Sequence, residues 1–221
     1  MVGFFNHYRG FCALCHCFYS VIVNSFQHLF QEYIDAVNTC NNRVTRLTDQ
    51  ILHLSRQCRL WPLIKAIQAL RSVALIVAAT VASELGDIRR FERPNQLMAF
   101  LGLIPSEHSS GDSVQKGPIT KAGNTHVRKA LIESADAYRL PARITRLLLK
   151  RQEDLPKDIC DISWKAQARL CERYRQLRGR GKKDNVVKTA IARELAGFIW
   201  AIAMKTPPYR LTGAVACELP M

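Results

Sequence analysis

The chain has 221 residues, 48% apolar and 23% charged, enough for one substantial core with an appendage. Its 32 Lys and Arg against 18 Asp and Glu give a formal charge of +14 and a pI near 9.7, which favours a polyanionic partner through counterion release. The longest apolar run, Val73 to Ala82, is about half of a bilayer span, and no lipidation signal is present, so a membrane is excluded as partner.

Residues 1–25 are aromatic and cysteine-rich, contain no Asp or Glu, and show neither a helical stripe nor strand alternation, so they read as a disordered extension. Cys12, Cys15, His16 and Cys17 have the flavour of a zinc ligand set. No second pair follows at a usual spacing, and no metal site is assigned. No basic segment with a cleavage site precedes them, so the eight cysteines are expected as thiols in a reducing cytoplasm.

From Phe30 the pattern changes. Phe30, Tyr33, Val37, Cys40, Val44, Leu47, Ile51, Leu54 and Cys58 follow alternating steps of three and four, the a and d positions of a coiled coil over residues 26–58. Such a narrow seam needs a partner helix, either in a homo-oligomer or antiparallel within the chain. A compact helical domain is expected over residues 59–204. Pro62 suits the first turn of a helix whose face is Leu63, Ile64, Ile67 and Leu70; a buried helix from Val73 to Leu85 is stopped by Gly86. Arg89 and Arg90 are phosphate contacts or solvated ends. Pro94 opens a short helix with Leu97, Met98, Phe100 and Leu101 turned inward.

Between Leu103 and Gly123, glycines, prolines and serines are so dense that no regular element is expected. This long loop is of a catalytic type: Ser110 is held in a glycine-flanked turn, upstream of Lys121, Ala122, Gly123, Asn124 and Thr125, which run into the stripe Val127, Ala130, Leu131, Ser134, Ala135 and Tyr138. Asn124 or Thr125 is then an N-cap. The free amides of that turn, with Lys121, His126, Arg128 and Lys129 around them, form a site suited to a phosphate. A serine hydroxyl becomes a nucleophile when a base or nearby cations help it lose its proton; Glu107 and His108 are the candidate bases here. The plain alternative is that Ser109, Ser110 and Ser113 are turn residues.

Between Arg139 and Lys183 there are 14 Lys and Arg against 5 Asp and Glu, interleaved with Ile144, Leu147, Leu148, Trp164, Leu170 and Tyr174 at helical spacing. These are cationic faces on packed helices, and nucleic-acid contact is the preferred reading. Arg178 to Lys183 forms a basic turn. Asp184 or Asn185 then caps a helix over Val186 to Met204, with Val187, Ile191, Leu195, Phe198 and Ile202 inward, and residues 205–221 are a frayed tail.

The set Gly102-Leu103-x-Pro105, Ser110-Gly111 and Gly117-x-Ile119-x-Lys121-x-Gly123-Asn124-x-x-x-Arg128-x-x-Leu131 resembles the C-terminal domain of the serine transposases of the IS one-ten and one-sixteen insertion-sequence type. The approach Glu84-Leu85-Gly86-Asp87-x-x-Arg90-Phe91 and Gln96 to Phe100 are similar as well, and the likeness runs from about Phe30 to about Met204. It implies an all-α fold, a long coiled-coil helix before a compact helical transposase domain, with Ser110 as the catalytic nucleophile that forms a phosphoserine link to DNA. Lys116, Lys121, Asn124, Thr125, His126, Arg128 and Lys129 are the nucleic-acid-binding candidates. In the family an N-terminal RuvC-like domain binds magnesium through four carboxylates, and a structured guide RNA directs the protein to DNA. That domain has no counterpart in this sequence, so no cofactor is expected to be bound by the chain itself, and Mg2+ only with the missing domain. Asp136 departs from the family by placing a carboxylate where an aromatic is more usual.

Two functions follow. One is a DNA-recombining domain of a truncated, non-autonomous transposase in the bacterial cytoplasm, associated with the nucleoid. The other is an inactive nucleic-acid-binding module that assembles through the coiled coil, with itself or with full-length transposase, and modulates it.

Overall fold

The computed structural model describes residues 7–107 and 116–207, with side chains for residues 25–107 and 117–207. The fold is all-α. Its helices are α1 (His7–Gln57), α2 (Trp61–Ile67), α3 (Leu75–Leu85), α4 (Pro94–Phe100), α5 (Thr125–Ser134), α6 (Arg146–Gln152), α7 (Lys157–Gly179) and α8 (Asp184–Lys205). A two-stranded antiparallel ribbon, β1 (Pro105–Glu107) and β2 (Lys116–Ile119), stands between α4 and α5. The chain divides into two units, residues 1–50 and 51–221.

The long helix starts earlier than its apolar pattern predicts. Backbone helix is described back to His7, ahead of the seam that begins at Phe30. No proline interrupts the segment, and Gly10 is its one glycine. Once a helix is nucleated, each added residue gains a hydrogen bond at little further cost. The seam residues Phe30, Tyr33, Val37, Val44, Leu47 and Leu54 all lie exposed in the single chain.

In the second unit the core forms where the apolar periodicities point. Leu63, Ile64 and Ile67 of α2, Ala78, Val81, Ala82 and Leu85 of α3, and Val127 and Leu131 of α5 are buried. α8 packs against α2, α4, α5 and α7, and its Val187, Ile191, Leu195 and Ile202 bury one face. Pro62 and Pro94 occupy the first turns of α2 and α4, where a missing N–H leaves no bond unmade. Gly86 ends α3 at φ 59.

Residues 68–74, between α2 and α3, bend through the interior, and their carbonyls need partners there. Gln152 Nε2 and Ser163 Oγ donate to the Ala69 carbonyl, Arg151 donates to those of Arg71 and Val73, and Arg71 donates to that of Pro141. Burial holds the Arg151 guanidinium below its ordinary pKa.

Three local expectations change. Asp184 is not a side-chain cap; it accepts from Tyr174 Oη at 2.9 Å and pairs with Lys188, which also reaches Asp136 at 2.9 Å. The unusual carboxylate of Asp136 thus has a cation on α8. Phe100 is not inward but 39% exposed, because Leu97 and Leu101 take the core-facing positions of α4. Of the apolar residues in the basic segment, Leu148, Leu170 and Tyr174 are buried, while Ile144, Leu147 and Trp164 stay exposed; two-turn α6 turns Leu148 to the core and Leu147 away from it.

Candidate functional site

α4 delivers the chain to the base of the ribbon. The expectation that no regular element fits there is corrected: Pro105 pairs with Ile119 and Glu107 with Lys116. Punctuating residues are tolerated because the ribbon is short, and Ser106 Oγ closes it by donating to the Pro118 carbonyl at 3.0 Å. A Cβ on Gly117 would press on that hydroxyl. The segment between the two strands, residues 108–115, carries Ser110 and His108 and lies outside the described residues, as does the side chain of Lys116.

Below the ribbon the two arms cross backbone to backbone. Thr120 N–H donates to the Ile104 carbonyl at 3.0 Å and Lys121 N–H to that of Gly102 at 3.1 Å. A Cβ on Gly102 would collide with the backbone of Ala122, and one on Gly123 with the Phe100 carbonyl. Both glycines have positive φ, 63° and 71°, so two independent constraints demand glycine at each. Lys121, at φ 56, is the one non-glycine with positive φ among the described residues, a strain of about 1–2 kcal/mol.

Arg128 holds the crossing together. Its side chain is buried, with the residue 9% exposed; Nη1 donates to the carbonyls of Leu101 at 3.1 Å and Ala122 at 2.9 Å, and Nη2 to Thr125 Oγ1 at 3.1 Å. The planar fork reaches both arms and the helix start at once. Its donors face the protein, so Arg128 acts in this structure as a strut.

Asn124, one of the two predicted caps, is the N-cap of α5. Its Oδ1 accepts from Val127 N–H at 2.9 Å, and its Nδ2 donates to Glu84 Oε2 at 2.6 Å. Lys121, Thr125, His126 and Lys129 are exposed around the same helix tip. Of the seven predicted contacts, these four share one accessible surface, Asn124 and Arg128 shape it, and Lys116 lies at the edge of the description. Glu84 was missed as part of the site because a carboxylate forty residues upstream has no local sequence relation to an N-cap.

The flanking segment adds a further pair of arginines with opposite fates. Arg89 turns in and donates to the carbonyls of Ala203 and Thr206 at the C-terminus of α8, where its charge also complements the helix dipole. Arg90 is exposed, with its guanidinium carbon 4.8 Å from the Phe91 ring centroid and 5.0 Å from that of Phe100.

Part of the charge of the basic segment is spent internally. Arg169 and Arg173 pair with Glu194, and Arg178 with Asp184. Arg146, Lys150, Lys165, Arg175, Arg180 and Lys182 remain exposed. Among the described residues no three His, Cys, Asp or Glu side chains gather to hold a metal ion. Cys40, Cys58, Cys160 and Cys171 are free thiols; Cys12, Cys15, His16 and Cys17 have no described side chains. No described helix is long and apolar enough to cross a membrane.

Residues 64–146 match the model of the transposase IS116/IS110/IS902 family. The chain is 55% identical over 138 residues to a protein of Sinorhizobium fredii named as transposase y4qE, covering 62% of this chain and 35% of that one. It is 30% identical over 183 residues to a protein of Pseudomonas aeruginosa named as a family 20 transposase (82% and 46% covered), and 33% identical over 144 residues to the transposase for insertion sequence element IS1111A of Coxiella burnetii (65% and 34%). The chain thus spans between about a third and just under half of the length of these relatives.

Proposed function

From the match of residues 64–146 to the transposase IS116/IS110/IS902 family model, we propose that the chain is a DNA-recombining domain of that family in which the loop between β1 and β2 presents Ser110 as a nucleophile to a DNA phosphodiester. The observation that carries this reading is the crossing at the ribbon's base. Gly102, Gly123 and Arg128 fix both ends of the loop beside the exposed tip of α5, where Lys121, Thr125, His126 and Lys129 offer positive charge and free first-turn amides.

A loop tied this firmly at its base can hold a hydroxyl over a phosphate bound at that tip. In the proposed step the Ser110 hydroxyl gives up its proton, its oxygen bonds to phosphorus, and one ester oxygen of the strand leaves carrying a proton. The product is a phosphoserine link that conserves the phosphodiester's bond energy for rejoining. Cations at the α5 tip stabilise the charge that grows on the non-bridging oxygens. Acidic metal ligands would have to be supplied from outside the described residues, in the same protein or in another chain.

The binding-module reading keeps a place because of α1. Its exposed a and d residues form a continuous apolar stripe, and a second copy supplying the same stripe would cover it as a coiled coil. In that reading the chain assembles with itself or with longer transposases and binds DNA, or a guide RNA, by charge.

The two readings separate on incubation with strand-nicked DNA carrying an insertion-sequence end, followed by denaturing electrophoresis. A covalent protein–DNA adduct that disappears in Ser110→Ala supports the nucleophile. Salt-sensitive binding of equal strength in both proteins, with no adduct even when a longer family member is added, supports the module.

A further inference from the structure

We propose that Arg90, seated over the Phe91 and Phe100 rings, is a preformed receptor for a nucleic-acid phosphate at the base of the ribbon. The inference deepens the nucleic-acid reading above and rests on it.

Three observations carry it. First, the guanidinium carbon lies 4.8 Å and 5.0 Å from two ring centroids that are 5.3 Å apart, with the rings tilted by 51°, a shallow aromatic seat that restricts a normally mobile side chain. Stacking uses the faces of the guanidinium and leaves its N–H edge open. Second, that edge is unspent: the Arg90 side chain has no hydrogen-bond or ion-pair partner among the described residues, although Asp87 and Glu92 are near in sequence. The Asp87 carboxylate instead accepts from Arg89 N–H. Third, the seat is built into the site. Phe100 is 39% exposed, and its carbonyl is the atom that Gly123 must approach without a Cβ. The bond from Asn124 to Glu84 pulls the segment leading to Arg90 onto the same helix start.

A planar donor edge of this kind matches two oxygens of one phosphate, which a lysine ammonium does not. The preceding residue shows what a structural arginine looks like here. Arg89 spends its donors on the end of α8, whereas Arg90, one residue further around the 3-10 turn Ile88–Arg90, has solvent in front of it. The ligand chemistry is a phosphodiester, which DNA and RNA share.

The test uses the full 221-residue chain and labelled single-stranded DNA, duplex DNA and RNA of one sequence, with affinity measured as a function of salt. Arg90→Ala should weaken binding about tenfold and flatten the plot of log affinity against log salt by about 0.7 for a single strand or 0.9 for a duplex, the loss of one phosphate contact. Arg90→Lys should keep the slope and recover only part of the affinity. Phe100→Leu, which leaves the charge and removes one of the two rings of the seat, should weaken binding severalfold with the slope retained. Which probe shows the Arg90 effect identifies the strand. Circular dichroism and melting confirm that each variant is folded, and Arg90, being exposed, is the substitution least able to disturb the core. Wild-type affinity and slope in Arg90→Ala on all three probes would overturn the receptor; an effect of Arg90→Ala with none from Phe100→Leu would overturn its preorganisation. If the unaltered chain binds no probe in a salt-dependent way, the nucleic-acid reading itself falls.

Discussion

Arg128 shows how little a residue type says about its job. In sequence it sits among His126 and Lys129 as one more cation near a helix start, and only the fold reveals that its donors are turned onto Leu101, Ala122 and Thr125. Replacing it with Met keeps the apolar stem and strands the buried Leu101 carbonyl and the partly buried one of Ala122. Arg128→Met should therefore lower unfolding stability by about 3 kcal/mol in urea titrations, on the scale of charge-assisted hydrogen bonds lost together with the desolvation of their partners. Lys129→Met, next to it but exposed, should stay within about 0.5 kcal/mol. Equal effects at both positions would remove the strut. Gly102 and Gly123 were the more legible residues, because a glycine at a loop's end announces unusual backbone. That each is also crossed by the other arm could not be read from either one alone.

At the scale of elements, α1 carries the clearest pattern and the least settled role. Its seam is visible from spacing, and a single chain leaves it uncovered. If a second copy covers it, Val37→Asp together with Val44→Asp should place charges at two a-type positions and convert an oligomer to monomer in sedimentation experiments. Those substitutions should leave the unit of residues 51–221 with its own melting transition. Oligomers that persist unchanged would assign the stripe to something else. The ribbon is the opposite case. Pro105, Ser106, Gly117 and Pro118 have poor strand propensity, and their pairing follows from the way α4 and α5 bring the two arms side by side.

Over the whole molecule, the excess of positive charge is a property of composition, but its distribution is not. Glu194, Asp184 and Asp136 absorb part of it at the α7–α8 side, and Arg89, Arg128 and Arg151 turn theirs onto backbone carbonyls. The global stability also has a pH signature. Tyr138 is fully buried where the 3-10 turn Ala135–Arg139 meets α7 and α8, and it accepts from Ser72 Oγ at 3.2 Å. Burial, the largest cause, raises its hydroxyl from 10.0 to about 12. A group whose folded pKa is raised contributes its full stability below the unfolded value and loses it as pH rises through the folded one. The neutral phenol should thus cost the protein nothing up to about pH 10 and as much as roughly 2–3 kcal/mol by pH 12. Denaturant midpoints measured from pH 9 to 12 should fall more steeply in the wild type than in Tyr138→Phe, and parallel curves would refute the assignment.

The amino-acid order by itself determined the helical class, the bounds of α2, α3 and α8 within a few residues, the apolar stripe of α1, a cap at Asn124 or Thr125 and the motif by which residues 64–146 match the transposase family model. These are properties of neighbours along a helix or of short spacings, and periodicity and capping chemistry express them locally. Tertiary structure alone decided that Arg128 faces inward while Arg90 faces out, that Glu84 braces the cap and that proline- and glycine-rich arms pair as a ribbon. Each of those outcomes depends on groups brought together from distant positions, and a buried carbonyl or an aromatic ring selects its partner only after the helices have packed.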